Sequence, residues 1–337
     1  MRTKTEAEIK ARWQYHEPPL VSFVCVTYNH EEYIKDTIEG FLKQETDFPF
    51  EIIIQDDAST DNTANIIKHY VEKYPALIKP IFYTENQFSK HRKNVLLIAV
   101  PHARGNYIAC CEGDDYWTDP QKIQRQLTAL KQHPDCAVSF HPVLRKSVNG
   151  KRREKILAKH SRHNKIFNTK ELVLGGGGFC PTASFIFKSS FFKTIPDWFL
   201  DAPIGDYFLQ ILSSLPGGSI YINQTMAVYR VDSEGSWSHK MAKDEQYAYF
   251  YFINILKSLD AIDAHTAHQY QKEFNIIRKK ICFFMCRNPL LSAFKRKEIF
   301  TEHKHKLNFK NKIMWHLVYK NKYGCQLAYW LRNYILG

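Results

Sequence analysis

A chain of 337 residues that is 44% hydrophobic and 14% aromatic can bury a sizeable core, which excludes a disordered or low-complexity chain. Its formal net charge of +13 is lopsided: residues 271–337 carry 15 Lys and Arg against 3 Asp and Glu, so a nearly neutral body precedes a strongly basic tail. The eight cysteines form no Cys-x-x-Cys pair and several stand in apolar runs, which argues against a zinc site and predicts reduced, packed thiols.

The polar N-terminus carries no apolar signal stretch, and no run of about 18 apolar residues is long enough to span a bilayer. These features predict a cytoplasmic protein. Residues 1–19 read as a lead-in closed by Pro18 and Pro19. Residues 20–26 are rich in β-branched and aromatic side chains and read as a buried strand. It ends in Thr27, Tyr28, Asn29 and His30, and Ile34, Ile38, Phe41 and Leu42 then follow at helical spacing. A second strand, 50–55, ends in Asp56, Asp57, Ala58, Ser59, Thr60 and Asp61, where Ser59 or Thr60 caps a helix over 62–74. Acids at such a strand end suit a ribose hydroxyl or a base N–H; plain helix capping explains part of the group.

A third strand at 79–83, a polar loop with Lys90, His91, Arg92 and Lys93, and a helix at 94–102 lead to the short apolar run 108–111. That run reads as a strand buried on both faces, and it delivers Glu112, Gly113, Asp114 and Asp115 to the sheet edge. The first 117 residues thus read βαβαβαβ, a parallel α/β pattern. In open sheets of this kind ligands bind at the C-terminal strand ends. Adjacent carboxylates repel each other and call for a positive partner, and Mn²⁺ or Mg²⁺ carrying a diphosphate suits them. A solvated Asp-Asp turn is the alternative. No G-x-G-x-x-G follows the first strand and no G-x-x-x-x-G-K-[ST] is present, which argues against the usual dinucleotide fold and a P-loop enzyme.

Further on, a helix at 121–132 and a strand at 136–143 precede residues 145–165, where nine Lys and Arg meet one acid, Glu154. This stretch reads as a loop or hairpin that either meets a phosphorylated acceptor or is solvated. Gly175 to Gly178 form a flexible entry to a strand at 183–188. Asp206 opens a helix, where the helix dipole favours an ionised carboxylate, as a general base requires; N-capping predicts the same residue. A late strand at 221–228 and a polar segment at 229–238 complete the body. Residues 241–337 read as helices. Trp315, Tyr319, Tyr323, Tyr329, Trp330 and Tyr334 interleave there with Lys312, Lys320, Lys322 and Arg332. Such a mixture suits an anionic membrane surface, packing on the body being the alternative, and the acidic pocket speaks against nucleic acid.

Four motifs stand in order at the ends of these elements: Val26 to Asn29, Ile54 to Thr63, Gly105 to Trp117, and Ile204 to Asp206. Together they resemble a family 2 glycosyltransferase of the GT-A fold, over roughly residues 20–238. The resemblance implies a Rossmann-like, mixed but mainly parallel sheet flanked by helices over residues 1–240, with a helical C-terminal extension over 241–337. It implies an inverting, metal-dependent transfer from a UDP-sugar to a glycan or lipid-linked acceptor in bacterial surface polysaccharide or lipooligosaccharide synthesis, at the inner face of the cell membrane. Residue by residue, Asp57 resembles the acid that binds the uracil base. Thr27, Asn29 and Asp56 line the nucleotide, Asp114 lies on the ribose side, and Arg92 or Lys93 approaches the pyrophosphate. Asp115 resembles the metal ligand for Mn²⁺ or Mg²⁺ and Asp206 the catalytic base. Many relatives carry His where this chain has Asp232, a second possible ligand. Trp198 and Trp237 are aromatic candidates for the acceptor side. The Gln-x-x-Arg-Trp segment of processive synthases is absent, which favours one sugar at a time. The rival readings are a nucleotidyltransferase and a non-catalytic module that binds sugar nucleotide or membrane.

Overall fold

The computed structural model describes residues 4–91, 95–150, 152–233, 241, 243–304 and 315. The chain divides into two compact units, residues 1–231 and 232–337, so the composition-based boundary at 240 falls inside the second.

The first unit begins with α1 (Glu6–Lys10), then β1 (Val21–Thr27), α2 (Ile34–Leu42), β2 (Phe50–Asp56), α3 (Thr63–Lys73), β3 (Ile78–Phe82), α4 (Gln87–His91), α5 (Val95–Ala99) and β4 (Tyr107–Glu112). All seven positions of β2 are buried and six of the seven in β1 are. Strands this apolar on both faces are covered on both sides by crossover helices and therefore run parallel. Strands β3, β2, β1 and β4 lie in that order, all parallel. From β1 the chain steps outward to β2 and β3, then returns to the other side of β1 for β4. The crevice at the C-terminal ends of β1 and β4 is the topological switch point, where such sheets bind ligands.

Next come β5 (Tyr116–Trp117), α6 (Lys122–Gln132), β6 (Val138–Phe140), β7 (Val143–Ser147), β8 (Lys155–Leu157), β9 (Lys165–Phe167), α7 (Thr169–Gly175), β10 (Ile186–Lys188), α8 (Asp206–Ser214), β11 (Ser219–Tyr221) and β12 (Ala227–Val231). Strands β10, β6, β11 and β9 extend the main sheet beyond β4, with β10 antiparallel to both neighbours and β11 parallel to β6. A second sheet has the order β5-β12-β7-β8. The mixed, mainly parallel sheet with flanking helices is the fold class the sequence predicts.

Three expectations change in detail. The stretch 136–143 is two strands in different sheets, because Pro142 has no N–H to continue a ladder. The stretch 221–228 likewise divides between β11 and β12, and residues 229–231 continue β12 where the sequence suggests a polar segment. The strand expected at 183–188 is shortened to β10 behind a 3₁₀ turn at Thr182–Ser184. Within the basic stretch 145–165, of the loop and the hairpin that the sequence allows, the structure has a β7–β8 hairpin, followed by the start of β9.

An aromatic cluster supports the switch point. Phe23 of β1 stacks on Phe50 at 4.5 Å and meets Trp117 edge-on at 5.1 Å, and Phe41 of α2 meets Trp117 at 4.6 Å. Pairs of this kind contribute about 0.5–1.5 kcal/mol each beyond their burial. Gly40 is required here: a Cβ on it would stand 2.9 Å from the Trp117 carbonyl oxygen.

In the second unit α9 (Glu245–His265), α10 (Gln271–Met285) and α11 (Ala293–His303) are the helices the sequence predicts. Buried Arg278 of α10 pairs with Asp263 at 3.0 Å and with Asp260 at 2.8 Å, tying α10 to α9. Trp315 stacks on Phe300 at 3.7 Å. The other tail aromatics and Lys312, Lys320, Lys322 and Arg332 lie outside the described residues. Among the described residues no helix is long and apolar enough to cross a membrane. All seven described cysteines are buried and none forms a disulfide.

Candidate active site

Two loops form one wall of the crevice. The turn after β1 and the turn after β2 are laced together by six hydrogen bonds, one of them from the Thr60 hydroxyl to Asn29 Oδ1 (3.4 Å). The Asn29 N–H donates to Ser59 Oγ (2.9 Å), and the Thr60 N–H donates to Asn29 Oδ1 (2.8 Å). The His30 N–H donates to Thr63 Oγ1 (2.9 Å), the Glu31 N–H to Asp61 (3.0 Å) and the Asn62 N–H to Glu31 (2.8 Å). Asn29 sits at φ 55°, a left-handed position that asparagine tolerates, and its short amide reaches across the gap.

The acids of the β2 turn are well supplied with donors. Asp57 accepts the N–H groups of Gln87 (2.6 Å) and Phe88 (3.0 Å), one on each oxygen, and so anchors the start of α4. Asp61 accepts from the Thr63 N–H at 3.0 Å as well as from Glu31, and these bonds hold its carboxyl below the usual range against the effect of burial. Asp56 is 2% exposed and is bonded by the Ser59 hydroxyl and N–H; burial still raises its carboxyl above the ordinary value.

The turn after β4 is different. Glu112, Asp114 and Asp115 each bring a carboxylate oxygen to within 4.8 Å of the others. Helix α2 holds the turn's backbone: Thr37 Oγ1 bonds the carbonyls of Gly113 (2.9 Å) and Asp115 (2.6 Å). Gly113 lies so close to β1 that a Cβ would come within 2.6 Å of Thr27 Cβ. Thr27 in turn shares a 3.1 Å hydrogen bond with His30 Nδ1, and His30 Nε2 stands 4.0 Å from Asp114. Burial lowers the His30 pKa, although Asp114, Asp61 and Asp56 all oppose this.

Asp115 is fully buried. Its Oδ1 accepts the Arg230 N–H at 2.8 Å, and its Oδ2 has no hydrogen-bond partner. Burial, then the charges of Asp114 and Glu112, push its carboxyl well above the usual carboxylate range. Glu112 rises to about 8 for the same reasons, burial first, then Asp114 and Asp206. An unsatisfied buried carboxylate oxygen beside two more acids is expensive as it stands. Hard divalent cations take oxygen donors of this kind, so the residues present fit Mn²⁺ or Mg²⁺. Asp115, Asp114 and Glu112 would hold it.

Asp206 starts α8, and its Oδ1 accepts the Tyr207 N–H at 2.7 Å. The expectation that the helix end keeps this group strongly ionised is outweighed. Burial is the largest influence, and it pushes the Asp206 carboxyl up to about 6. A base poised just below neutral pH remains ionised at pH 7 and binds a proton more readily than an ordinary carboxylate. Asp206 is near enough to Glu112 to raise it, which brings the helix start and the β4 turn to one site.

Arg230 and Tyr229 of β12 are residues that the sequence analysis does not single out. The Arg230 guanidinium bonds the Asp114 carbonyl at 2.9 Å, ion-pairs with Asp36, and lies over Tyr116 (4.4 Å) and Tyr33 (5.1 Å). The next residue back, Tyr229, has its hydroxyl pushed up by burial and by the charges of Glu112, Asp115, Asp114 and Asp206. The sequence signal for Arg230 is a cation among apolar strand residues, which needs a partner to be buried.

Trp198 packs edge-on against Phe208 of α8 at 5.6 Å. Asp232 opens the second unit at φ 69°. Arg92, Lys93 and Trp237 lie outside the described residues.

Comparison with known proteins agrees with this geometry. Residues 22–194 match the model of the glycosyl transferase family 2. An uncharacterized protein of Mycobacterium tuberculosis is 38% identical over 222 residues, covering 64% of this chain and 60% of that relative. The chain therefore matches about three-fifths of that relative's length. Among solved structures, S. aureus TarS 1–349 in complex with UDP-GlcNAc superposes with a TM-score of 0.58 at 15% identity, over 89% of this chain and 91% of that one. The mannosyltransferase PcManGT from Pyrobaculum calidifontis, in complex with GDP-Man and Mn²⁺, gives 0.52 at 14% identity, over 95% and 88%. At these identities the structural matches speak for the fold alone. With the family model covering just over half of its length, and its acids gathered at the switch point of the sheet, this chain belongs to glycosyl transferase family 2.

Proposed function

We propose that the chain is an inverting, non-processive glycosyltransferase that moves a sugar from a UDP-sugar to a hydroxyl of a glycan or lipid-linked acceptor. The observation that carries this reading is the unsatisfied Asp115 oxygen in an acid cluster that also feels Asp206. The nucleotide lies against the laced wall, with Thr27, Asn29, Asp56 and Asp57 on its base and ribose side and Asp114 next to the ribose. Asp115, with Asp114 and Glu112, would hold Mn²⁺ or Mg²⁺, which when bound would supply charge neutralisation to the departing diphosphate.

Asp206 takes the proton of the acceptor hydroxyl. The hydroxyl oxygen forms its bond to the anomeric carbon as the bond to the diphosphate oxygen breaks on the opposite face, and the electron pair leaves with UDP. His30 stays neutral beside Asp114, and Arg230 fixes the backbone of the acid turn from behind. The basic tail places the enzyme peripherally at the cytoplasmic face of a membrane bearing anionic lipid, which suits assembly of a surface polysaccharide or lipooligosaccharide.

The test is UDP release without acceptor, from a panel of UDP-sugars with GDP-mannose included, in Mn²⁺, Mg²⁺ or EDTA. Slow, metal-dependent hydrolysis of one donor supports the reading and names the sugar. Silence across the panel, with no thermal shift from UDP plus Mn²⁺, sinks it.

A further inference from the structure

Helix α10 of the second unit has two unlike sides. Phe274, Ile277, Cys282 and Met285 are buried on one, together with Arg278, which the acids of α9 neutralise. On the other side stand Lys272, Ile276, Lys279, Lys280 and Phe283. At 3.6 residues per turn these five fall within an arc of about 100° and run about 16 Å along the axis. Ile276 and Phe283 form the midline of the arc. Lys272 and Lys279 flank it on one side and Lys280 on the other.

This face is open. Ile276 is 43% exposed, Phe283 is half-buried, and the three lysines are exposed. The Arg287 guanidinium, just past the helix end, lies 3.8 Å over the Phe283 ring and brings a further cation to the midline. Among the described residues no carboxylate ion-pairs with Lys272, Lys279 or Lys280. Glu273, the one acid of the helix, is half-buried and stands beyond the edge of the arc. A helix face made for water alone alternates its charges, as α11 does with exposed Lys297, Glu298 and Glu302. On α10 an exposed isoleucine takes the place between two lysines, at 272 and 280, where an acid would serve solubility better.

An apolar midline between rows of lysine complements an anionic lipid surface. The apolar tips enter the acyl boundary, while the lysine stems lie along it and carry their ammonium groups to the lipid phosphates. A second copy of the chain is a poor occupant, since a two-fold contact of this face with itself sets lysine against lysine. We propose that the exposed face of α10 is the surface by which the chain lies on an anionic membrane, with Ile276 and Phe283 at the acyl boundary and Lys272, Lys279 and Lys280 on lipid phosphates. For its partner this rests on the peripheral reading given above. It goes further in assigning the contact, within the basic residues 271–337, to one face of a folded helix.

The experiment is cosedimentation of the full chain with phosphatidylcholine vesicles, with and without phosphatidylglycerol, over a range of salt. The expected result is binding to the anionic vesicles alone, weakening as salt rises. Lys272→Gln/Lys279→Gln/Lys280→Gln should weaken it about hundredfold, and arginine at the same three positions should keep it. Ile276→Ser leaves every charge in place and should still weaken binding about fivefold, which a purely electrostatic attraction does not predict. All of these positions are exposed, so the melting temperature should stay that of the unmodified protein. Binding that survives the triple glutamine variant overturns the proposal and moves the contact elsewhere in the chain. Binding untouched by Ile276→Ser overturns the seating of the helix, and equal binding to neutral vesicles overturns the role of the lysines. A dimer in solution that Ile276→Ser dissociates, with vesicle binding unchanged, overturns it in favour of an interface between copies. Absence of vesicle binding by the unmodified protein is a separate failure, of the peripheral reading itself, and leaves donor hydrolysis as the test of the enzyme.

Discussion

Two acidic turns stand side by side at the sheet edge, and they are built to opposite ends. After β2, Asp57 and Asp61 have backbone N–H donors on both of their oxygens, and Asp56 is bonded by Ser59. After β4, Asp115 keeps an oxygen with no partner in the dry interior, and Glu112 is driven up to about 8. The first set of acids organises backbone. The second is left electrostatically incomplete, and incompleteness in a buried site marks where a ligand belongs. A count of carboxylates does not separate the two turns; the location of their donors does.

The contrast is broken hardest by removing charge where it is unsatisfied. Asp206→Asn should lower transfer by about 10²–10⁴-fold, the usual contribution of a positioned base, and should keep the thermal shift given by UDP plus Mn²⁺. The same variant should melt higher at pH 8 and show no gain at pH 4. Burial raises the folded carboxyl from 3.8 to about 6, so the cost of the group builds up as pH rises between those values and is fully present above about 6. In the unmodified protein kcat/KM should fall tenfold per pH unit as pH drops below about 6; a flat profile down to pH 5 removes Asp206 as the base.

Asp115→Asn should weaken the Mn²⁺-dependent thermal shift by at least about tenfold in apparent affinity, or 1.4 kcal/mol. The metal-free protein should be no less stable, since a buried acid with an unfilled oxygen contributes little to folding. Unchanged metal response in this variant takes Asp115 out of the site. Gly113→Ala should cost about 1–3 kcal/mol by overpacking against Thr27, read as a lower denaturant midpoint. The smallest effect sharpens the contrast from the other side. Asp61→Ala should cost about 1 kcal/mol, a lost cap, with little change in donor KM. A large KM effect there would show that the two turns are not divided as described.

Much of the frame is legible in the sequence because β1, β2 and β4 are mainly apolar and end abruptly in polar turns. The second sheet is not legible. Residues 136–143 are apolar enough to read as one strand, and hydrophobic pattern does not say that its two ends pair in different sheets. Arg230 and Tyr229 escape for the same reason, since their place beside the acids depends on β12 pairing with β5. Glu112 is visible in the motif, but the upward pressure on it comes first from burial, then from Asp114 and from Asp206, 94 positions away in the chain. Asp206 itself is legible as a helix start, whereas the sense of its shift is not: the helix end and the buried setting pull in opposite directions, and only packing decides between them.

The lacing of the β1 and β2 turns has a mechanical consequence. Residues 29–31 cannot move away from residues 59–63 without giving up all six cross-loop hydrogen bonds at once. The amide protons of both turns should therefore exchange with solvent together, through a single opening event, and not in sequence as frayed loops do. A wall that opens as one piece presents an arriving nucleotide with a finished surface and leaves little ordering entropy to be lost on docking. Any slow breathing that governs release of the spent nucleotide then has to originate in other parts of the crevice.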